Sequence, residues 1–281
     1  DDCYFTCHFY KDPVMAGSLI AEGCVQLMQF YMLYLGLQTL TEDASFEPIL
    51  NLPQIVRCRG QVIPSDSLMT YRLEVKEIGL HPEPYMIANI DVLVEDRIVV
   101  DFRDVGVRLV EKKSDEINFS IGTVSDTKAK PAFDEVAIQN FADGSVAKCF
   151  GEHYAPFDAR PFVQRNPCLD LKLLTRVLEV SGEPRNFSKP ASLIAEYDVN
   201  EMDWYFSDRT SIAPLPASVL LEIALQPCGF LGAWMGSIFE FPDDDLHFRL
   251  VEGHAKLLER PEMRDRKILT NDQLDRMTRV D

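Results

Sequence analysis

Two long apolar segments recur 200 residues apart, and that repetition limits what these 281 residues can fold into more than any other feature. The first, Gly17 to Leu37, reads GSLIAEGCVQLMQFYMLYLGL. Its apolar positions, among them Leu19, Ile20, Cys24, Met28, Phe30, Tyr31 and Tyr34, cover most of a helix circumference, which predicts a buried central helix. Gly17 and Ser18 open it, Gly36 is placed to close it, and Asp12-Pro13 makes the turn ahead of it. The second segment, SVLLEIALQPCGFLGAWMG, repeats the pattern. Setting Glu222 on Glu22 aligns Ser218 with Ser18, Gln226 with Gln26, Phe230 with Phe30 and Gly236 with Gly36, without a gap. Trp204 and Tyr205 then fall on Tyr4 and Phe5. Matched leucines arise by chance between apolar helices, whereas a Glu and a Gln four apart, kept in both, point to an internal duplication.

The flanking sequence predicts antiparallel sheet around the first helix. Strand-like runs occupy 55–62, 68–77, 85–94 and 98–110, with Glu95-Asp96 as a tight reversal between the last two. Residues 112–130 turn polar and charged, and Phe133 to Phe141 has a short amphipathic-helix pattern that Ala142-Asp143-Gly144 ends. Further strands are expected over Leu169–Val180 and Ala191–Val199, before Asp203-Trp204-Tyr205-Phe206 and the second helix. The expected organisation is α+β: a first unit over 1–112 that lacks N-terminal strands, a linker over 113–163, and a second unit over 164–281 that is cut short at its C-terminus. The first copy has no counterpart of Arg165 to Val199 ahead of its helix, so the chain reads as an excerpt of something larger.

Composition removes several function classes. With 28 Lys plus Arg against 45 Asp plus Glu, the formal charge of -17 repels phosphate backbones and anionic lipid, so neither nucleic acid nor a membrane is an expected partner. The longest apolar run, Gly23 to Leu37, is interrupted by Gln26 and Gln29 and falls short of the roughly 20 residues a bilayer requires. Seven scattered cysteines without C-x-x-C pairing, and an acidic start without a signal peptide, suggest a reduced, cytoplasmic setting. Cys3-x-x-x-Cys7-His8 has no companion cluster, so no metal is expected and Cys7 reads as a packed small residue. His81, His153, His247 and His254 stand without companion motifs and read as surface. No G-x-G-x-x-G, P-loop or G-x-S-x-G pattern occurs, against nucleotide cofactors and the hydrolase elbow.

The polar residues inside the apolar segments carry the chemistry. A buried carboxyl is costly unless paired or protonated, which makes Glu22 and Glu222 candidate general acids; the alternative is a glutamate reaching out of its helix to solvent. Gln26 and Gln226 lie one turn along on the same face, where an amide can orient the carboxyl. His8, 14 residues before Glu22, is a candidate neutral base, although a lone histidine is also an ordinary structural group. The Gly17 amide, at a helix N-terminus, can approach a carbonyl oxygen and stabilise negative charge. Residue chemistry alone leaves open whether His8 works with Glu222 or Glu22.

The run CHFYKDPVMAGSLIAEGCVQLMQFYMLYLG resembles the signature of the 3-hydroxyacyl-thioester dehydratases of bacterial fatty-acid synthesis, in which His, then Asp-Pro-Val-Met-x-Gly, then Asp or Glu on the long helix recur at this spacing. RNPCLDLKLLTRVLEV and AEYDVNEMDWYF resemble the strands ahead of the histidine in the same family, and the order resembles the tandem dehydratase region of polyunsaturated fatty acid synthases. The resemblance implies a double hot-dog fold, with each site taking its histidine from one unit and its acid from the other. On this chain that gives His8 with Glu222 and Gln226, and the Gly17 amide on the thioester carbonyl. Glu22 and Gln26 would form a pseudo-site with Asp208, which stands where the second copy should carry its histidine. Ala16 replaces the usual proline, and Glu22 stands where the isomerising branch carries Asp.

The resemblance further implies dehydration of (3R)-hydroxyacyl thioesters to trans-2-enoyl thioesters without a cofactor. The substrate would arrive on the phosphopantetheine of an acyl carrier protein, within a multienzyme. Arg160, Arg165, Lys172 and Arg176 are the densest cationic candidates for docking an acidic carrier. A hot-dog thioesterase and a silent acyl-binding scaffold are the alternatives: the first has no use for His8 beside the helix start, and the second has none for His8, Glu222 and Gln226 together.

Overall fold

A computed structural model describes residues 3–112, 130–200, 203–206, 215–259 and 267–278. The fold is α+β with two antiparallel sheets, and the chain divides into two compact units whose bounds differ from those read in the sequence. One comprises Met15–Ile121 and Leu250–Pro261; the other comprises Asp1–Val14, Gly122–Arg249 and Glu262–Asp281. His8 therefore belongs to the unit that holds the second apolar helix.

That second unit contains α1 (Cys3–Cys7), and the 15–121 unit contains α2 (Gly17–Tyr34) with β1 (Ala44–Pro48), β2 (Gln54–Cys58), β3 (Met69–Gly79), β4 (Tyr85–Val94) and β5 (Arg97–Glu111). Strand β4 alternates strictly between half-buried and buried positions, and Met86, Ala88, Ile90, Val92 and Val94 form its core face. Glu95 and Asp96 both adopt positive φ, 49° and 62°, the backbone of a two-residue hairpin whose twist matches its strands. Helix α2 packs on β3, β4 and β5 and ends where Gly36 takes φ 76°.

The sheet runs β3-β4-β5-β2-β8, with β1 also on β5; β1 and β8 (Glu252–Ala255) have no counterpart among the strands expected from the sequence. Strands β2 and β8 are related by the repeat and pair antiparallel. Gln54 faces Ala255 and Ile55 faces His254, and the 200-residue offset converts one pair into the other.

The other unit carries α3 (Glu135–Ala142), α4 (Val146–Phe150), α5 (Ala155–Asp158), β6 (Arg176–Ser181), β7 (Ala191–Asp198), α6 (Ala217–Trp234) and β9 (Lys267–Leu274). Its sheet runs β6-β7-β9, and α6 packs on β7 and β9. By length and composition α6 could cross a bilayer, with a mean hydropathy of 1.3. Asp134 caps α3 through the Ala137 N–H and Ser145 caps α4 through the Lys148 N–H, so the polar residues ahead of each helix start it.

These helices are core rather than connection. Phe133, Phe141 and Phe150 surround Phe230 of α6 with ring centroids 5.1 to 5.5 Å apart, and Tyr154 donates to the Ala233 carbonyl at 2.9 Å. The sequence linker 113–163 is thus, from Phe133 onward, the cover of α6, and 113–129 lies outside the described residues.

The two repeated helices differ in burial. Phe230 is fully buried, whereas Phe30, its counterpart, is 67% exposed, and Leu33 and Tyr34 on the same side of α2 are exposed as well. The expectation that α2 is buried all round is corrected: its sheet covers one side only. Phe230→Ala should therefore cost about 3–5 kcal/mol in a denaturant melt, and Phe30→Ala less than about 0.5 kcal/mol.

Candidate active site

His8 follows α1 directly and is held twice by one residue. Its carbonyl accepts from the Val14 N–H at 2.9 Å, and its Nδ1 lies 3.1 Å from the Val14 carbonyl oxygen. A carbonyl only accepts, so Nδ1 carries the proton and Nε2 of the neutral ring carries the lone pair. Between these residues Phe9 and Asp12 exchange N–H···O bonds of 2.9 and 3.0 Å, closing a tight loop. Burial lowers the pKa of His8, the negative charge of Glu222 works against that shift, and the net result lies below the ordinary histidine value. At neutral pH the imidazole is a free base.

Glu222 sits on α6 at 5% exposure and Gln226, one turn on, at 3%. The Gln226 amide has a single consistent orientation. Its Oε1 accepts from the Leu173 N–H at 2.8 Å, and its Nε2 donates to the Leu171 carbonyl at 2.8 Å and to Glu222 Oε1 at 3.0 Å. The expected strand over 169–180 therefore begins only at Arg176, because the backbone groups of Leu171 and Leu173 bond the Gln226 side chain instead of a neighbouring strand. Pro227 follows within the helix and removes the N–H that would otherwise close on the Ile223 carbonyl.

The first copy of the pair is different. Gln26 donates to Glu22 Oε1 at 3.3 Å, Gln26 is exposed and Glu22 is half-buried. Gly17 opens α2 in that same unit, and a side-chain carbon added there would meet open space. Asp208 lies outside the described residues. Of the residues named from the sequence, the structure brings His8, Glu222 and Gln226 together in one unit.

The four docking candidates have internal partners. Arg165 is 8% exposed, bonds the Asn140 and Phe141 carbonyls and stacks over the Tyr10 ring, so burial removes it from the surface. Arg176 pairs with Glu196 and Asp198, Lys172 reaches Gln139 and Glu135, and Arg160 donates to the Asp244 carbonyl. Cys7 is packed, as expected, and Cys7, Cys24, Cys58, Cys149, Cys168 and Cys228 are free thiols.

Sequence reasoning missed two residues beside His8. Arg249 holds both oxygens of Asp12, at 2.8 and 2.9 Å, and His247 Nδ1 lies 2.7 Å from the same carboxylate. Burial works upward on Asp12, but these bonds and charges outweigh it and hold the carboxyl below its ordinary range. His247 is exposed, as its reading as a surface residue has it, and it also contacts Asp12; the signal that could have found this contact is Asp12, a motif carboxylate in need of a cation.

Comparison with known proteins agrees with the motif. Residues 1–103 match the family model of the FabA-like domain. The chain is 24% identical to a polyunsaturated fatty acid synthase polypeptide of Thraustochytrium sp., aligned over 91% of its own length and 25% of that protein's. It thus spans about a quarter of that relative.

Among solved structures, the dehydratase domain from the terminal module of the rifamycin polyketide synthase is 14% identical with a TM-score of 0.38, covering 83% of this chain and 68% of that one. The dehydratase domain of RzxB from Pseudomonas fluorescens is 11% identical with a TM-score of 0.39, covering 83% and 66%. A tesB protein from Mycobacterium avium subs paratuberculosis is 8% identical with a TM-score of 0.37, covering 82% and 65%.

Replacing Gln226 by Met keeps its volume but strips three partners of their bonds. A melt should show a loss of about 1–3 kcal/mol for Gln226→Met and less than about 0.5 kcal/mol for Gln26→Met, whose site is exposed.

Proposed function

We propose that this chain eliminates water from (3R)-hydroxyacyl thioesters, carried on the phosphopantetheine of an acyl carrier protein, to give trans-2-enoyl thioesters. The observation that carries the reading is the pairing, in one unit, of His8 with its Nδ1 proton directed to Val14 and the buried Glu222 oriented by Gln226. His8 Nε2 takes the C2 proton. The C2–H electrons form the C2=C3 double bond, the C3–O bond breaks, and protonated Glu222 gives its proton to the departing hydroxyl, which leaves as water. Burial disfavours the imidazolium, so His8 rests as the neutral base that the step requires.

No cofactor takes part in this chemistry. Kinship with a polyunsaturated fatty acid synthase polypeptide supports a place within a multienzyme whose other domains supply and consume the thioester. Because the four basic candidates all have internal partners, tethering in one polypeptide supplies the effective concentration of the carrier that a basic docking patch would otherwise provide. A carboxyl on Glu stands about 1.5 Å further out than one on Asp, and proton return at a second carbon is sensitive to errors of about 1 Å, so little onward isomerisation is expected.

The test is turnover of a 3-hydroxyacyl pantetheine thioester. His8→Ala and Glu222→Gln should each lower the rate at least about a hundredfold, with Glu22→Gln far milder. The wild-type acid limb should lie below the ordinary histidine pKa of about 6.5. Wild-type activity in His8→Ala, or loss at Glu22 with none at Glu222, would overturn the assignment.

A further inference from the structure

The loop that carries His8 is anchored from far away in the chain. Its internal bonds, His8 with Val14 and Phe9 with Asp12, set its shape but do not fix it to the rest of the unit. The Asp12 carboxylate supplies an anchor at the apex of the loop. Arg249 takes both of its oxygens and His247 bonds one of them, although 237 residues separate Asp12 from Arg249. His247 is itself packed against the Phe162 ring, which steadies it. Two parallel N–H···O bonds between planar groups fix direction as well as distance, which a single-point contact does not.

Three charged groups act on the His8 ring: Glu222 from α6, Arg249 from the 247–249 segment, and Asp12 from the loop itself. The guanidinium disfavours a proton on the imidazole and the two carboxylates favour one. Arg249 is therefore a mechanical clamp on the loop, while burial has the largest influence on the His8 proton.

We propose that Arg249 is a positioning residue for His8: its two-point grip on Asp12 holds the 8–14 loop so that Nε2 faces the substrate carbon. The proposal rests on the dehydratase reading above, and two variants test it. Arg249→Lys keeps the charge but loses the fork, whereas Arg249→Gln loses both.

In the 3-hydroxyacyl thioester assay, Arg249→Lys should lower kcat about ten- to a hundredfold, with KM within about twofold and the acid limb where the wild type has it, since misplacement of about 1 Å costs up to a hundredfold. Arg249→Gln should lower kcat at least as much and also move the acid limb to higher pH, because His8 then holds its proton more readily. Hydrogen exchange reads the clamp without any substrate: the amides of Phe9, Asp12 and Val14 should exchange faster in both variants. Wild-type kcat, acid limb and exchange in Arg249→Gln, with His8→Ala inactive, would overturn the proposal and leave the dehydratase reading standing. Full activity in His8→Ala would instead overturn the dehydratase reading and this proposal with it, even if loop exchange rose. Should the Gln variant fail to fold, the Lys variant decides: unchanged kcat and unchanged exchange reject the clamp.

Discussion

A carboxyl group inside an apolar helix is the constraint on which the rest of this structure depends. Glu222 is nearly sealed from solvent, and such a group persists only where fixed dipoles replace its water. Gln226 supplies them. Held by the Leu171 carbonyl and the Leu173 N–H, its amide directs one N–H at the Glu222 carboxyl. Three bonds to one side chain allow no alternative orientation, so the acid is placed by the backbone of the segment that precedes β6. That segment stays out of the sheet for the same reason. The strand begins later, and a site is obtained where a strand would otherwise run.

Duplication and divergence are both visible in the two apolar helices. Each ends at a glycine with positive φ, Gly36 and Gly236, and each carries Glu and Gln four apart. Their surroundings decide what the pair does. Around α6, α3 and α4 bring Phe133, Phe141 and Phe150 onto Phe230, and the Glu-Gln pair lies buried. On α2 the same positions open to solvent, and the hydrogen bond lengthens from 3.0 to 3.3 Å. One copy thus holds its Glu-Gln pair in the core, and the other pairs a half-buried Glu22 with an exposed Gln26.

Much of this was legible in the sequence. The helices, the hairpin at Glu95-Asp96 and the alternation along β4 follow from local pattern, because period and turn chemistry are local properties. So does the pairing of Glu222 with Gln226, since residues four apart on a helix must be neighbours. Where burial depends on what arrives from elsewhere, sequence reasoning failed: the apolar circumference of α2 looked like a core helix but has an open side. The stretch from Phe133 to Tyr154 looked like a connection because its helices are short, yet its aromatic residues close the core over α6. Arg249 and His247 were invisible for a similar reason. They meet Asp12 across more than 230 residues, and only Asp12 lies in a motif.

The central claim is that His8 faces Glu222 rather than the nearer glutamate in sequence, Glu22. An NMR titration of the His8 imidazole in the wild type, Glu222→Gln and Glu22→Gln tests it without reference to any substrate. The wild-type ring should titrate below the ordinary histidine value. Removing the Glu222 charge should lower the midpoint further, since that charge is what favours the imidazolium, and removing Glu22 should leave it in place. A midpoint that moves with Glu22 and ignores Glu222 would contradict the account.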